Sequence, residues 1–287
     1  NILVGKSNAS EKEMIEAGDL QQETAKAIKM SLFERLYTQL KARQAKDGIQ
    51  RTVMLDTQFR MHPDIGSFVS RSFYEAEGEP KLESGLSKDR FDLGIAKYKG
   101  KVAEWIDLPL QSGKEQRSGT SWQRDCEAQK VVSEVQELFA ENPNLSVGVI
   151  TFFAAQRELI FNKLAQVGIC QKLEDGWEYL PGFKTINEGK EVKEKIRVGS
   201  VDAFQGKEFD VVILSTVRSN NIKASDENAY RKKYGFIRTP NRLNVAFSRA
   251  KSLIKVVGDK EMFSGETAQR AIPQVWTFIH ELCEVKS

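Results

Sequence analysis

Three short runs of β-branched and apolar residues constrain the fold of this chain most strongly. They read VGVIT at residues 147–151, VVILS at residues 211–215 and IKVV at residues 254–257. Strands that are hydrophobic along nearly their whole length are typical of parallel sheets that are covered on both faces. With their flanks and three further runs, the predicted strands cover residues 51–55, 102–108, 146–151, 197–201, 210–217 and 253–258.

Helical patterns lie between these strands. The predicted helices cover residues 63–74, 123–140, 154–167, 240–250 and 268–284. This alternation predicts an α/β fold in which a mostly parallel sheet carries helices on both faces. Such sheets bind ligands beyond the carboxyl ends of their strands. We therefore expect functional residues just after Leu55, Ile150, Val201, Val217 and Val257.

Three polar stretches interrupt the alternation. Residues 75–100 and 171–195 are charged and contain glycine, which predicts surface insertions or hairpins. Residues 219–234 are polar and end in the sequence RKKY. That composition predicts a mobile loop.

Composition excludes several classes of protein. No apolar run approaches the roughly 20 residues that a membrane-spanning helix needs. Cys126, Cys170 and Cys283 are odd in number and widely spaced, which excludes a disulfide framework and predicts a reduced, intracellular setting. They form no CxxC zinc motif, and with two histidines in the chain no zinc site is expected. The net charge of +3 does not by itself predict a nucleic-acid partner.

The most informative motif, VGSVDAFQGKEFDVVILSTVRSN, spans residues 198–220. A short predicted strand leads into a turn that holds Gly206 and Glu208, and a buried strand follows at once. Gly206 lets the backbone approach a bulky ligand because it has no Cβ atom. The carboxylate of Glu208 can accept hydrogen bonds from hydroxyl groups, such as those of a ribose. The alternative interpretation is a solvated turn between two strands.

A second motif, GFIRTPNRLNVAFSRAK, spans residues 235–251. Thr239 and Pro240 predict the start of a helix, since a hydroxyl cap precedes proline at the first helical position. Arg242 and Arg249 are seven residues apart and are expected to share one face of that helix. Two guanidinium groups suit an anionic ligand, and one near a γ-phosphate can stabilise transferring charge. The alternative is a basic, solvated helix face.

Two shorter motifs complete the set. LDTQFRMHP, at residues 55–63, has Arg60 between a predicted strand and a predicted helix. VITFFAAQ, at residues 149–156, ends a predicted strand with a hydroxyl, an aromatic ring and an amide, which belong to Thr151, Phe153 and Gln156. Such a combination can hold a sugar-phosphate backbone and stack a base, or it can belong to the core.

In this order and spacing, the four motifs resemble the second RecA-like lobe of superfamily 1B helicases of the up-frameshift and senataxin type. The resemblance covers residues 31–259, including the run SLFERL that leads into this lobe. It implies a RecA-like P-loop NTPase fold over residues 31–287. It also implies an ATP-dependent helicase or translocase that uses ATP and Mg²⁺ and moves in the 5′-to-3′ direction along single-stranded DNA or RNA.

The resemblance implies roles for individual residues. Arg60 and Arg249 correspond to the arginines that face the γ-phosphate of ATP, with Arg249 as the arginine finger. Gly206 and Glu208 correspond to the motif that touches the nucleotide and its ribose, and Arg242 is assigned to the same site. The segments that resemble strand-gripping motifs contain Thr151, Phe153, Gln156, Ser200, Ser215 and Arg218. The family pattern changes at Phe152-Phe153, Asn241 and Phe247-Ser248, where Pro-Tyr, arginine and Leu-Thr are usual.

The first 30 residues match the family only in fragments. They contain a GKS string with Lys6 and Ser7, and a GDLQQ string that ends at Gln22. By resemblance, Lys6 and Ser7 belong to the nucleotide site and Gln22 to catalysis. The full GxxxxGKS/T motif is absent, so we expect residues 1–30 to be a discontinuous remnant of the first lobe and residues 31–287 to form the second.

Two alternatives stay open at this stage. The short strings in residues 1–30 can match the first lobe by chance. The chain as a whole can be a non-catalytic module, derived from a helicase lobe, that binds nucleic acid or a protein partner.

Overall fold

The structure, a computed structural model, describes residues 32–53, 55–188 and 191–284 of the chain. It divides the chain into two units, Asn1–Leu55 and Asp56–Ser287. In the first unit, helix α1 (Leu32–Asp47) is followed by a turn in which the Oε1 atom of Gln44 accepts hydrogen bonds from two backbone N–H groups. The predicted boundary between residues 30 and 31 lies outside the described residues and stays a prediction.

The second unit alternates strands and helices. Its helices are α2 (Pro63–Val69), α3 (Asp125–Glu141), α4 (Ala154–Gln166), α5 (Pro181–Lys184), α6 (Glu227–Tyr234), α7 (Pro240–Phe247), α8 (Gly265–Ala271) and α9 (Val275–Glu284). Its strands are β1 (Thr57–Gln58), β2 (Glu83–Ser84), β3 (Ala103–Asp107), β4 (Gln116–Ser118), β5 (Ser121–Gln123), β6 (Val147–Thr151), β7 (Cys170–Leu173), β8 (Gly176–Tyr179), β9 (Thr185–Glu188), β10 (Glu191–Glu194), β11 (Ile196–Ser200), β12 (Phe209–Ser215) and β13 (Ala250–Gly258).

Five of these strands form one parallel sheet, in the order β11, β6, β12, β13, β3. Every neighbouring pair in it is parallel, because crossover connections rather than hairpins join the strands. The five strands confirm the predictions at residues 102–108, 146–151, 197–201, 210–217 and 253–258.

The strand predicted at residues 51–55 is wrong. The described residues of that run form no strand, and Val53 and Leu55 are 72% and 86% exposed. Among the described residues no strand pairs with this run, so its apolar side chains have no sheet to join. The second unit begins instead with β1, which pairs in parallel with β2.

Two hydrophobic cores cover the two faces of the sheet. Along β12, Val212 and Leu214 belong to one core, while Val211 and Ile213 belong to the other, as side chains alternate along a strand. Helices α2, α7 and α9 contribute to the first core, and α3 and α4 contribute to the second. The predicted α/β fold, with helices on both faces of a parallel sheet, is therefore confirmed.

The connection from β11 to β12 crosses one face of the sheet. After Ser200, residues Val201–Phe204 form a single 3₁₀ turn. Phe204 lies against two glycines: a Cβ atom at Gly148 would be 2.8 Å from its Cε1 atom, and one at Gly199 would be 3.3 Å from its Cε2 atom. These glycines leave room for the ring, so that the chain can return from the carboxyl end of β11 to the amino end of β12.

The insertion at residues 171–195 is a pair of hairpins, as predicted. Strand β7 pairs with β8, and β9 pairs with β10, both antiparallel. Trp177 of β8 stacks on Phe161 of α4 with ring centroids 5.3 Å apart, which anchors the first hairpin to the domain. The insertion at residues 75–100 consists of short turns together with β2.

Two helical segments differ from the predictions. The polar stretch at residues 219–234 ends in α6 rather than in a loop, because the side chain of Asp226 caps that helix and accepts a hydrogen bond from the N–H group of Ala229 at 2.9 Å. The single helix predicted at residues 268–284 is divided into α8 and α9. Pro273 lies between them and cannot continue a helix.

Burial affects the chemistry of the cysteine thiols. All three cysteines are free. Burial raises the pKa of the Cys170 thiol to about 11 and that of the Cys283 thiol to about 12, so both are protonated near neutral pH. Within the described ranges, no helix is both long enough and apolar enough to cross a membrane.

A half-buried histidine with enclosed ring nitrogens makes the stability of the domain sensitive to acid. His280 of α9 stacks on Trp105 of β3 with ring centroids 4.3 Å apart. Burial, and next the charge of Lys260, lower the pKa of His280 from 6.5 to about 4. Because the unfolded chain then takes up a proton at a higher pH than the folded chain, the free energy of unfolding falls as the pH drops from 6.5 towards 4.

We expect the His280→Phe variant, which keeps an aromatic ring against Trp105, to lose part of this acid sensitivity. Between pH 7 and pH 5 the free energy of unfolding of the wild type should fall by roughly 1–2 kcal/mol more than that of the variant, after allowance for solvent screening. Urea denaturation at both pH values measures the difference. Equal losses in the two proteins would contradict the assignment of the acid sensitivity to His280.

Candidate nucleotide and nucleic-acid sites

Three of the predicted nucleotide residues come together at one end of the sheet. Glu208 immediately precedes β12, and Arg249 immediately precedes β13, so both lie at the amino ends of adjacent parallel strands. The backbone N–H group of His62 donates to the carbonyl oxygen of Lys251 at 2.7 Å. That bond brings Arg60 to the same end, where its Nε atom donates to the Oε2 atom of Glu208 at 2.9 Å.

The protein itself orients the guanidinium of Arg249. Its Nε atom donates to the carbonyl oxygen of Val245 at 3.1 Å, its Nη1 atom to that of Lys207 at 3.2 Å, and its Nη2 atom to the Oγ atom of Ser248 at 3.0 Å. Burial, and next the charge of Arg60, lower the pKa of Arg249. An anion beside these two like charges would relieve their repulsion.

Arg242 lies apart from this cluster. Its Nη2 atom is 3.8 Å from the Oδ2 atom of Asp202, and its guanidinium lies 5.3 Å from the ring centroid of Phe236. The prediction that Arg242 and Arg249 share one helix face is wrong, because α7 ends at Phe247 and Arg249 already belongs to the turn into β13. The nucleotide role of Arg242 stays a prediction.

The backbone conformation at Gly206 explains why glycine stands there. Its φ angle is +77°, in the left-handed region that other residues enter only with strain. A Cβ atom at this position would meet no other atom within 4 Å. The site therefore requires glycine for its conformation rather than for lack of space, and the predicted close approach to a ligand stays a prediction.

The residues predicted to contact nucleic acid lie at the opposite end of the sheet, where Phe153 and Arg218 line an open groove of about 740 Å³. Strand β12 has seven residues, so at roughly 3.3 Å per residue its two ends are about 20 Å apart. The expectation that these residues follow the carboxyl ends of strands is therefore wrong for the positions of Arg60, Glu208 and Arg249, whose roles stay predictions. The groove does open beside the carboxyl ends of β6 and β12.

Aromatic and basic side chains share the groove. Phe153, which follows β6, and Phe236 have ring centroids 6.1 Å apart. Helix α6 and the β4–β5 hairpin supply basic groups that are exposed to solvent. The aromatic lining residues are Trp122, Phe153 and Phe236, and the exposed basic ones are Arg117, Arg231 and Lys232.

Three of the residues predicted to contact single-stranded nucleic acid are enclosed in the core. Thr151, Gln156 and Ser215 have no exposed surface. The Nε2 atom of Gln156 donates to the Oγ atom of Ser215 at 3.0 Å, and its Oε1 atom accepts from the N–H group of Arg124 at 2.7 Å. Direct contact between these three side chains and single-stranded nucleic acid does not fit this geometry, because protein groups already occupy their hydrogen-bonding positions.

Arg218 lies beneath the groove rather than at its surface. Its side chain is 2% exposed, and its Nη2 atom is 3.0 Å from the Oε1 atom of Glu115. Its guanidinium lies 4.8 Å from the ring centroid of Trp122 and 6.0 Å from that of Phe153. Arg218 thus supports the rings of Trp122 and Phe153, which form the aromatic floor of the groove.

Ser200 is half-buried at the end of β11, and its role in nucleic-acid contact stays a prediction.

The sequence interpretation missed several groove residues. Trp122 and Arg117 are paired across the β4–β5 hairpin, and Phe236 follows α6. The available signal was the interleaving of basic and aromatic residues in YRKKYGF, at residues 230–236. That pattern is typical of single-strand binding surfaces.

A family model described as an AAA domain, AAA_12, matches residues 28–261. The chain belongs to this family. The resemblance that the four motifs carry is thereby confirmed, and the parallel sheet with helices on both faces is the RecA-like α/β architecture that it implies.

Curated relatives of this AAA domain include three proteins of the expected type. It is similar to "Regulator of nonsense transcripts 1 homolog" of Arabidopsis thaliana, with 32% identity over 241 residues that cover 83% of this chain and 16% of that protein. "ATP-dependent helicase NAM7" of Saccharomyces cerevisiae shares 29% identity, covering 84% of this chain and 21% of that protein. For "Helicase sen1" of Schizosaccharomyces pombe the values are 28%, 82% and 12%. The chain therefore spans a small part of each relative.

The residues assigned to the first lobe lie outside the described part of the chain and before the residues that the family model matches. Lys6 and Ser7, assigned to the nucleotide, and Gln22, assigned to catalysis, all fall within residues 1–31. Their roles stay predictions.

Proposed function

We propose that this chain is the second motor lobe of an ATP-dependent superfamily 1 helicase or translocase that acts on single-stranded nucleic acid. One observation carries the proposal: Arg60 and Arg249 lie beside Glu208 at one end of β12, and an aromatic, basic groove lies at the other. Relatives that are named as helicases support it. An intracellular setting belongs to the same proposal.

At the nucleotide end, Arg60 and Arg249 would contact the γ-phosphate of ATP, with Arg249 as the arginine finger. A guanidinium that protein acceptors already orient can stabilise charge on a transferring phosphoryl group without reorganising. Glu208 now engages Arg60. When Arg60 binds a phosphate instead, the carboxylate of Glu208 becomes free to accept hydrogen bonds from ribose hydroxyls.

Mg²⁺ is expected with the nucleotide, since phosphoryl transfer needs its charge. In the described part of the chain, no group of three His, Cys, Asp or Glu residues is arranged to hold a metal ion. We therefore assign none of the described residues to Mg²⁺ and attribute to them only the contacts of Arg60, Arg249 and Glu208.

At the groove end, single-stranded DNA or RNA would bind through its bases and its phosphates. Phe236 is 55% exposed and Trp122 is half-buried, so both rings can present a face on which a base can stack, whereas Phe153 is buried beside Phe236. Arg231 and Lys232 are exposed beside the rings and can neutralise phosphates. Stacking does not distinguish DNA from RNA, so both are expected to bind.

The continuous segment from Glu208 through β12 to Arg218 joins the two ends. Because β12 is a buried central strand, a displacement of its amino end on nucleotide binding would move its carboxyl end as a rigid body. Closure and reopening of the lobes during hydrolysis would then shift the groove along the bound nucleic acid. By family resemblance, this movement runs in the 5′-to-3′ direction.

Replacing both Arg231 and Lys232 with alanine tests the groove. We expect the slope of log Kd against log salt concentration to fall by about 0.7 for each phosphate that the protein no longer neutralises, hence by about 1.4 for the double variant. Fluorescence anisotropy of labelled oligo(dT) and oligo(U), with the 287-residue chain at several salt concentrations, measures the slope.

The matched control replaces Lys81 and Lys172, two basic residues that do not line the groove. The control should keep the wild-type slope. Equal slopes in both double variants would exclude this groove as the strand site, and binding of neither oligonucleotide by the wild type would contradict the nucleic-acid function.

A further inference from the structure

A strained residue follows β12 at the edge of the groove. Val217 has a φ of 68°, and among the described residues it is the one non-glycine residue with a positive φ. A β-branched side chain is especially unfavourable in this left-handed region. Its side chain is fully buried. Surrounding contacts must therefore hold the backbone of Val217 in this conformation.

The carboxylate of Glu127 contacts this turn directly, beside the backbone hydrogen bond from the N–H group of Arg218 to the carbonyl oxygen of Thr216. Its Oε2 atom accepts hydrogen bonds from the N–H group of Val217 at 2.8 Å and from the Oγ atom of Ser215 at 2.7 Å. Its Oε1 atom accepts from the Nη1 atom of Arg124 at 3.0 Å. Glu127 lies in the first turn of α3, so the carboxylate joins this helix to the turn after β12.

Arg124 in turn holds Glu127 in place. Its Nε atom donates to the carbonyl oxygen of Gly113 at 2.7 Å, and its Nη2 atom donates to those of Leu108 and Pro109 at 2.7 and 2.9 Å. Neither Arg124 nor Glu127 has exposed surface. Because both charged groups are satisfied by fixed partners, the pair forms a rigid support rather than a mobile surface contact.

The turn at Val217 determines where Arg218 goes. The side chain of Arg218 runs beneath Trp122 and Phe153 and pairs with Glu115. It also donates hydrogen bonds to the carbonyl oxygens of Lys232 and Lys233 at the end of α6, the helix that carries the basic groups of the groove. A change of backbone conformation at Val217 would redirect Arg218 and release both the rings and the helix end.

We propose that Glu127, held by Arg124, is a positioning residue for the nucleic-acid groove: it stabilises the left-handed turn at Val217, which directs Arg218 beneath the aromatic floor. The inference rests on the proposed function of the groove. It differs from a general role in stability because it predicts that the effect of Glu127 passes through the backbone of one residue.

The Glu127→Gln variant tests this route. One of the two terminal atoms of glutamine is a donor, so the amide cannot accept from Arg124 on one side and from Val217 and Ser215 on the other. We expect oligo(dT) to bind the 287-residue chain about tenfold more weakly in this variant, since strain of this size shifts an equilibrium by about that factor. Amide hydrogen exchange in a peptide covering residues 215–219 should become faster.

A second substitution at Val217 separates positioning from core stability. In the Glu127→Gln background, Val217→Gly removes the left-handed penalty, whereas Val217→Ala loses nearly the same side chain and keeps it. We expect the glycine variant to recover affinity to within about threefold of the wild type and the alanine variant to recover none. Slow exchange should return in the glycine variant alone.

Equal recovery by glycine and alanine, no recovery by glycine, or an unchanged Glu127→Gln variant would each overturn the proposal. If Glu127→Gln alone does not fold, restored folding with glycine but not with alanine supports it, and its absence overturns it. Hydrogen exchange needs no ligand. A wild type that binds no oligonucleotide therefore contradicts the function of the groove, while the exchange data still decide whether Glu127 acts through Val217.

Discussion

The Arg249→Ala variant of the full-length protein is expected to hydrolyse ATP on the order of 10³-fold more slowly than the wild type, with little change in affinity for single-stranded nucleic acid. Two carbonyl oxygens and one hydroxyl group orient the Arg249 guanidinium before any nucleotide binds. Alanine removes the charge that would stabilise the transferring phosphoryl group. Phosphate release measures the rate, and anisotropy of a labelled strand measures the affinity.

Two further variants make this result specific. Arg249→Lys keeps the charge but loses the planar fork, so its rate should remain well below that of the wild type. Arg270→Ala removes an exposed arginine of α8 whose Nη2 atom is 3.4 Å from the Oε2 atom of Glu266, and it should leave hydrolysis unchanged. Wild-type hydrolysis by Arg249→Ala would exclude Arg249 as the arginine finger.

The second large effect is expected at Phe236. Replacing it with alanine should weaken binding of a single strand by roughly 10- to 100-fold, because stacking of one base on an aromatic ring contributes about 1–3 kcal/mol. Since the ring is more than half exposed, the free energy of unfolding should change little. Anisotropy titrations with oligo(dT) and oligo(U) measure the affinity, and urea denaturation measures the stability.

The matched control for Phe236 is Phe59→Ala. Phe59 is 67% exposed and does not line the groove, so strand affinity should be unaffected in the absence of nucleotide. If both alanine variants weaken binding equally, or if neither does, Phe236 is not a ring on which bases stack.

Much of the fold could be predicted because buried parallel strands have a strong local signature. The runs at β6, β12 and β13 are apolar on both faces, and the structure has a hydrophobic core on each side of them. The run at residues 51–55 is also apolar in part, but its described residues form no strand, because pairing depends on a neighbour that the sequence does not specify. The helix α6 was missed because most of its eight residues are polar and show no apolar helical pattern, although Asp226 provides a cap.

The candidate site was less predictable because distance along the chain does not reveal which end of a strand a residue lies at. Glu208 and Ser215 are seven residues apart in one motif, yet they lie at opposite ends of β12. Burial was equally hidden: Gln156 and Ser215 are polar, but they form a hydrogen bond inside the core. The left-handed conformation of Val217 has no sequence signal, since valine normally avoids it.

The most direct test of the central claim is ATP hydrolysis by the full-length protein, measured with and without a single-stranded oligonucleotide and repeated with the Arg249→Ala variant. The proposed motor predicts hydrolysis that the strand stimulates and that the variant loses. Strand binding by the wild type without any hydrolysis would contradict it and would identify the chain as a binding module derived from a helicase lobe.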